Sequence, residues 1–369
     1  MKKTKTWIWQ NKNWPNFIYD RPDTHTLYQK FGQLHMAETL LSPQDVLRLK
    51  TNTLGLEAIA TSLLEGELLS QKSLNASISK HLKSKHTSQD ITPSSDALVD
   101  LLMDAKRNNV PLVPPRLFAW HKALFPVHKK GAPLVHTGMY RDADAGEIKI
   151  ISGTWEKEVL HYLAPDAKDI ELEMNRFLLW LNTENTLDLV VKSAIAHLWF
   201  LLIHPFDDGN RRLARDISDH VLSSSSLIPS QLFTLAFEIN EMKDSYYKSL
   251  DRVCFQEGVD ISLWVQWYVK MLSSSLDTAL QRVELLKTKA LFWEKIKTIT
   301  LNQRQRHMVS KMLHNELNAK EVKTAFYAQT FNISKPTSAR DLRDLHHKKI
   351  LKSCGAGRGV YYELRGFVS

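Results

Sequence analysis

Residues His204 to Arg215 bring together side-chain types that suit chemistry on phosphate esters. A histidine has a pKa close to neutral, so beside a phosphate His204 could remove the proton from an incoming hydroxyl. Arg212 and Arg215 are three residues apart, so on a helix they share one face and can bind one polyphosphate as planar forks. Asp208 adds a hard carboxylate oxygen of the kind that Mg²⁺ prefers. The segment therefore predicts a site for the phosphates of a nucleotide and for a divalent metal.

Two helices must position this segment. Residues 190–203 are an almost unbroken apolar run, and Pro205 disfavours helical geometry for the residue before it, so His204 should lie at the end of a buried helix. Gly209 and Asn210 then lead into a second helix, whose first-turn N–H groups and dipole form an anion site. A single histidine at a helix end, or two solvated arginines, would also fit a purely structural role. The combination within one short segment favours the chemical interpretation.

The segment resembles the signature H-P-F-x-D/E-G-N-G-R-x-x-R of the Fic family. It matches at every specified position except Arg211, where the family usually has glycine. The resemblance implies that His204 is the catalytic base and that Asp208 is the metal carboxylate. It implies an ATP site made of the phosphate cradle Gly209 and Asn210, the polyphosphate arginines Arg212 and Arg215, and the unusual Arg211.

A second motif lies near the N-terminus. Residues 61–66, T-S-L-L-E-G, resemble the inhibitory motif S/T-x-x-x-E-G/N of the family, placed before the core as in its second class. Thr61 and Glu65 are one helical turn apart, so both can face the same neighbour. The resemblance implies that Glu65 pairs with Arg215 and keeps that arginine from the γ-phosphate. An exposed glutamate on an ordinary helix is the alternative.

Residues 146–165 alternate apolar and polar side chains on either side of Ser152 and Gly153, which predicts a β-hairpin. This hairpin resembles the flap of the family, which binds the target protein as an added strand. A hairpin with only a structural role remains the alternative. Tyr246 and Tyr247 resemble the tyrosines near the nucleotide base, although tyrosines that pack in a core would look the same.

The C-terminal part resembles a winged helix-turn-helix. Residues 332–334 resemble its turn, 336–347 its recognition helix and 352–364 its wing. The helix offers cations for DNA phosphates, although Asp341 and Asp344 should interrupt its basic face. Dimerisation or docking are alternative roles for this module.

These segments predict a mainly α protein with three domains. We expect an N-terminal helical domain with the inhibitory helix at 1–90, a Fic catalytic core with a β-hairpin flap at 91–275, and the winged helix-turn-helix at 285–369. The opening tryptophan-rich segment resembles an N-terminal domain of unknown function found in some Fic proteins. The stretch 83–96 is rich in Ser, Thr and Lys and predicts a linker or a mobile loop.

Composition sets the remaining expectations. The 369 residues carry a net charge of +9, which suits a polyanionic partner or a solvated basic surface. Two cysteines are too few for a disulfide framework, and the first ten residues have no continuous apolar run, so we expect a cytoplasmic protein without a membrane anchor.

The predicted function is a protein adenylyltransferase that uses Mg-ATP to modify a Ser, Thr or Tyr hydroxyl of a target protein and is inhibited by Glu65. Arg211 keeps an alternative open, because the related Doc branch has a lysine there and acts like a kinase, with the nucleotide reversed. A weakly active DNA-binding regulator is a further alternative. The expected partners are a target protein at the flap, a second copy of the chain in a homodimer, and DNA at the winged helix.

Overall fold

A computed structural model describes residues 6–82, 90–106, 110–126, 135–143, 146–152, 157–313 and 321–365. In this part of the chain the helices are α1 (His25–Leu40), α2 (Pro43–Leu64), α3 (Gln71–His81), α4 (Pro93–Ala105), α5 (Pro114–Leu124), α6 (Ile170–Thr183), α7 (Leu189–Ile203), α8 (Asn210–Leu222), α9 (Leu235–Glu241), α10 (Lys243–Cys254), α11 (Ser262–Lys295), α12 (Gln303–Leu313), α13 (Thr324–Phe331) and α14 (Lys335–His347). The strands are β1 (Lys149–Ser152), β2 (Val159–Leu163), β3 (Leu351–Cys354) and β4 (Tyr361–Leu364). The predicted mainly α fold is confirmed.

The chain divides into two compact units, Met1–Gln281 and Arg282–Ser369. The domain boundary predicted at residue 90 lies inside the first unit and stays a prediction. No helix among the described residues combines the length and the apolar character needed to cross a bilayer.

Helices α7 and α8 form the centre of the first unit. Asp188 caps α7 by accepting hydrogen bonds from the N–H groups of Val190 and Val191, and nearly every residue of the helix is buried. A helix that is apolar on all faces must be covered by other elements. Helix α8 packs along it with only Arg211 of its residues partly exposed. The two helices predicted around the histidine segment are therefore confirmed.

The predicted hairpin is also confirmed. Strands β1 and β2 pair in antiparallel register, with Ile150 opposite Tyr162. The Tyr162 ring is buried, and its hydroxyl donates a hydrogen bond to the carbonyl of Leu202 in α7. This contact attaches the hairpin to the last turn of α7. The tip of the hairpin, 153–156, lies outside the described residues.

The N-terminal segment packs on later elements of the first unit through its tryptophans. Trp14 donates to Glu173 at 2.8 Å and Trp9 donates to the carbonyl of Leu163 at 2.8 Å. The predicted linker at 83–96 is wrong at its end, because α4 begins at Pro93. Proline fits the first turn of a helix, since its missing N–H would have no helical partner, and Thr92 caps the helix.

The second unit contains α12, α13, α14 and the antiparallel pair β3 and β4 around its own core. The turn before α14 has Asn332 in the left-handed region, with φ 50°, and Ser334 as the N-cap. The expectation that Asp341 interrupts a basic face is wrong, because Asp341 is buried and accepts from Arg304 and from the hydroxyl of Tyr327. A buried carboxylate needs such partners, which turn it away from the surface of α14.

Candidate active site

His204 is the C-cap of α7 and adopts a left-handed backbone, with φ 51° and ψ 60°. Pro205 prevents the helix from continuing, so the chain leaves α7 at this residue. Arg141 holds the exit from the other side, with its Nε donating to the His204 carbonyl at 2.8 Å and its backbone N–H donating to the Pro205 carbonyl at 2.9 Å. The backbone of His204 is thus held at the point where α7 gives way to the loop.

The surroundings of His204 keep its ring neutral. Burial lowers the pKa of His204 to about 4, and the charges of Arg141 and Arg211 act in the same direction. The Nδ1 atom lies 3.3 Å from the carbonyl oxygen of Leu201. Since a carbonyl only accepts, this contact places the proton on Nδ1 and leaves the Nε2 lone pair available. A neutral imidazole in this tautomer can accept a proton at Nε2.

The loop between α7 and α8 is closed by its own side chains. The Asn210 side chain accepts from the N–H of Phe206 at 3.0 Å and donates to the carbonyl of Phe206 at 2.7 Å, so this buried amide shapes the loop. Gly209 has φ 81°, and a Cβ there would lie 3.1 Å from the Leu124 side chain. Glycine adopts this left-handed backbone readily and has no Cβ that would crowd Leu124. The loop therefore delivers the backbone to the N-terminus of α8 in a fixed path.

Three arginines line the first two turns of α8, and acidic residues after α2 contact all of them. Arg215 is buried and donates to Glu65 at 3.1 Å and to the Thr61 hydroxyl at 2.8 Å. Arg211 donates to the other oxygen of Glu65 at 2.8 Å. Arg212 forms an ion pair with Glu67 at 3.3 Å. The phosphate site that the sequence predicts is occupied by carboxylates of the same chain.

Glu65 remains ionised between these arginines. Burial by itself raises the pKa of the carboxyl, but the charges of Arg215 and Arg211 outweigh it and the pKa of Glu65 is lowered. The Arg211 pKa is raised in turn, because the pull of Glu65 exceeds the effect of burial. Glu65 and Arg211 are therefore both charged in this contact.

The two tyrosines lie in different surroundings. Tyr246 is 1% exposed, and its hydroxyl is 3.0 Å from Nε2 of His197. It packs in the core against His197 of α7 and Trp264 of α11, as in the alternative that the sequence leaves open. The ring of Tyr247 lies 6.0 Å from the guanidinium carbon of Arg211, at the rim of the site.

Of the two residues predicted for the flap, the structure describes Ser152 but not Gly153. Ser152 lies at the end of β1, where its hydroxyl contacts Nε2 of His161, and Nδ1 of His161 contacts Asp251 of α10 at 3.0 Å. This chain of hydrogen bonds links the hairpin to α10. Gly153 lies outside the described residues.

Sequence reasoning missed several residues of the site. His121 accepts from the N–H of Gly138 at 2.9 Å and donates to the carbonyl of Asp208 at 3.1 Å, so it supports the loop from α5. Glu67 was missed as well, and Arg141, which lies in a segment that resembles the flap, instead supports the loop at His204. Glu67 directly follows the motif at residues 61–66 and its acidic side chain is visible in the sequence, whereas His121 has no signal in a single sequence.

The carboxylates at the loop suit a hard divalent cation. Asp208 is exposed, and its Oδ1 accepts a hydrogen bond from the N–H of Gly209 at 2.6 Å. Oδ1 of the neighbouring Asp207 is buried without a hydrogen-bond partner among the described residues. A buried oxygen of this kind is costly unless something else satisfies it, and oxygen ligands are what Mg²⁺ prefers.

Parts of the chain are similar to known proteins. The model of the Fic/DOC family matches residues 111–222, and that of a domain of unknown function, DUF4172, matches 7–84. A probable protein adenylyltransferase of Aquifex aeolicus is 42% identical over 62 residues, which are 17% of this chain and 18% of that protein. Protein adenylyltransferase Fic of Drosophila melanogaster is 31% identical over 113 residues, which are 28% of this chain and 23% of that protein. The matches thus span less than a quarter of either relative.

Solved structures show the same fold. A Fic family protein from Desulfovibrio desulfuricans superposes with a TM-score of 0.54 at 19% identity, over 95% of this chain and 98% of that one. A Fic domain containing signaling protein from Bacteroides thetaiotaomicron gives 0.51 at 17% identity, over 71% of this chain and 97% of that one.

Proposed function

We propose that this chain, which carries a Fic/DOC family domain at residues 111–222, is a protein adenylyltransferase that moves AMP from ATP to a hydroxyl of a target protein. The observation that carries the proposal is the position of a neutral His204 one loop away from three arginines at the start of α8. A base for a hydroxyl and a binding site for polyphosphate are the two parts that nucleotidyl transfer requires.

In the proposed reaction the target hydroxyl approaches His204, and Nε2 takes its proton as the oxygen attacks the α-phosphorus of ATP. The P–O bond to the β-phosphate breaks and pyrophosphate leaves. Arg212 and Arg215 bind the leaving phosphates, and the N-terminus of α8 stabilises their charge. Arg141 keeps the histidine in place through the His204 carbonyl.

Asp208, with Asp207 beside it, would hold Mg²⁺ next to the phosphates. When bound, this ion neutralises phosphate charge in the transition state. The exposed Asp208 carboxylate and the unsatisfied Oδ1 of Asp207 fit this role.

The proposed enzyme is held inactive by Glu65. Its two oxygens contact Arg211 and Arg215 at 2.8 and 3.1 Å, so the γ-phosphate cannot reach Arg215 while Glu65 is in place. Arg215 is nearly inaccessible in this arrangement.

The test is incubation of the Glu65→Gly protein with ATP labelled at the α-phosphate and with a cell lysate. We expect label on protein, and we expect its loss in Glu65→Gly/His204→Ala, because nucleotide binding survives while the base is gone. Label that persists at a similar rate without His204 would refute the assigned base.

Phosphoryl transfer is the second candidate, and Arg211 is the observation that favours it. Its guanidinium adds a cation at the first turn of α8, where an inverted nucleotide could make a charge-assisted contact. ATP labelled at the γ-phosphate separates the two reactions. If the protein retains label from the γ-phosphate and none from the α-phosphate, the reaction is phosphoryl transfer and not AMP transfer.

The hairpin is the proposed binding site for the target. Ile151 and Val159 expose about half of their side-chain surface on it, and β1 and β2 form a sheet of two strands. A segment of the target can add to such an edge through backbone hydrogen bonds.

DNA is a candidate partner of the second unit. Arg340, Arg343 and Lys349 are exposed on or after α14, and Asp341 is turned inward, so the face is more basic than the sequence suggests. A gel shift on non-specific DNA at two salt concentrations tests this, because binding through phosphates weakens steeply with salt. Equal shifts at both concentrations, or none, would exclude it.

A further inference from the structure

The turn that follows α2 carries two carboxylates, not one. We call residues Glu65, Gly66 and Glu67 the acidic turn. Glu65 is the C-cap of α2, and the N–H groups of Gly66 and Glu67 donate to the carbonyls of Leu63 and Ser62 at 3.0 and 2.9 Å. These bonds form a Schellman motif, which reverses the chain at the end of a helix. Gly66 has φ 72°, the left-handed backbone that this motif requires.

The reversal brings both carboxylates to α8. Oε1 of Glu65 contacts Arg215, its Oε2 contacts Arg211, and Oε2 of Glu67 contacts Arg212. Each of the three arginines therefore has a carboxylate oxygen from the acidic turn within 3.3 Å. Two anionic groups joined by a short link and bound to adjacent cations resemble two neighbouring phosphates of a nucleotide.

The contact of Glu67 is made with a nearly buried cation. The Arg212 side chain is 6% exposed, against 28% for Glu67. The Nε atom of Arg212 is buried and lacks a hydrogen-bond partner among the described residues, so this guanidinium is not fully satisfied by Glu67. An unsatisfied donor inside a cation cluster favours an anion with more acceptor oxygens, such as a phosphate.

We propose that Glu67 is a second inhibitory residue, and that the acidic turn excludes nucleotide by occupying all three arginines of α8. This inference rests on the proposed function, because it assigns the same arginines to the phosphates of ATP. It predicts that removal of Glu65 alone leaves Arg212 paired with Glu67. Full access to the site then requires the loss of both carboxylates.

Nucleotide affinity tests the proposal without any transfer step. The full chain is titrated with a non-hydrolysable ATP analogue and Mg²⁺ by calorimetry, as wild type, Glu67→Gln, Glu65→Gly and the double variant. Glu67→Gln should bind about three- to tenfold more tightly than wild type, because a competing occupant lowers the fraction of competent sites. The double variant should bind more tightly than either single one.

Two further variants separate inhibition from a structural role of Glu67. Glu38→Gln is the matched control, because Glu38 also forms an ion pair, with Lys50, and its side chain is also 28% exposed. It should bind like wild type. Glu67→Asp keeps the charge and should stay close to wild type, while thermal unfolding of each variant checks its fold.

The outcomes are distinct. Equal affinity of Glu67→Gln and wild type, with tighter binding by Glu65→Gly, would overturn the role of Glu67 and leave the proposed function intact. Tighter binding in both single variants without transfer of label would support the acidic turn and count against the transferase. Absence of nucleotide binding in every variant would overturn both.

Discussion

Thr61 holds Arg215 at a shorter distance than Glu65 does. Nη2 of Arg215 lies 2.8 Å from the Thr61 hydroxyl and 3.1 Å from Glu65, and Nε of Arg215 reaches the same hydroxyl at 3.2 Å. The Arg215 side chain is 1% exposed, so its charge depends on partners from α2. Helix α2 therefore contributes to the stability of α8 as well as covering the proposed phosphate site.

Replacement of Thr61 should weaken this support. Thr61→Val removes the hydroxyl at almost the same volume and leaves the buried Nε of Arg215 without the acceptor that it has in wild type, so we expect a loss of about 1–2 kcal/mol in the free energy of unfolding. Urea denaturation followed by tryptophan fluorescence measures it. Thr61→Ser keeps the hydroxyl and should lose much less, and equal losses in the two variants would point to packing of the methyl group.

Replacement of Glu65 should also cost stability. The Glu65 side chain is only 10% exposed, so it is largely removed from solvent. Glu65→Gly leaves the buried Arg215 without a carboxylate, so we expect a loss of about 2–3 kcal/mol despite the remaining contacts to Thr61. Urea denaturation should show a lower midpoint than in wild type.

Addition of an ATP analogue tests whether the missing anion causes the loss of stability in Glu65→Gly. If the missing anion is the cause, an ATP analogue with Mg²⁺ should restore much of the midpoint in Glu65→Gly and little in wild type. A midpoint that stays at the wild-type value without nucleotide would contradict the structural role of Glu65.

Acid should destabilise the first unit through His197. This side chain is buried between Ser218 and Tyr246, and burial lowers its pKa to about 3, with the charge of Arg215 in the same direction. The unfolded chain, with a pKa of about 6.5, binds more protons between these two values, so stability falls as the pH drops below about 6.5. From pH 7 to 5 this group accounts for about 2 kcal/mol.

The matched variant is His197→Gln, which keeps polar contacts and does not titrate. Its unfolding free energy should fall less between pH 7 and 5 than that of wild type, by about 2 kcal/mol, as measured by urea denaturation at both pH values. The same pH dependence in both proteins would show that other groups carry the acid sensitivity.

The hairpin should lose its fixed position when Asp251 is changed. Asp251 accepts from Nδ1 of His161, which leaves Nε2 to accept from Ser152. Asp251→Asn weakens this link between β2 and α10, so transfer to a target that binds the hairpin should decrease, about two- to tenfold, because a mobile edge must be ordered on binding. Affinity for the ATP analogue should not change, since the hydrogen bonds described for these side chains join β1, β2 and α10 and do not involve the α8 arginines. A parallel loss of nucleotide affinity would show that the hairpin supports the phosphate site.

The sequence predicts best those features that local chemistry dictates. Pro205 ends α7 and Gly209 begins α8 by backbone preference alone, so both helices around His204 follow from single residues. Contacts between segments that are far apart in the sequence cannot be predicted in this way. The support of the loop by His121 and Arg141 joins residues more than 60 positions apart, which no periodicity reveals. The surroundings of Tyr246 could not be predicted either, because a tyrosine that packs in the core and one that lines a site look the same in a sequence. Only its burial in the structure distinguishes the two.

Arg211 can act in two ways, as a clamp on Glu65 or as an obstruction to the phosphates, and a double-mutant cycle separates them. The 2.8 Å contact of its Nη2 with Glu65 favours the clamp. Arg211→Gly should then raise affinity for the ATP analogue by about three- to tenfold when Glu65 is present, because the inhibitory carboxylate has lost one of its two cations. In the Glu65→Gly background the same change should have little effect or lower the affinity, since no carboxylate remains to be clamped and a cation is lost. Calorimetric titration of the four proteins gives the coupling. A similar gain in both backgrounds would show instead that the Arg211 side chain blocks the path of the phosphates.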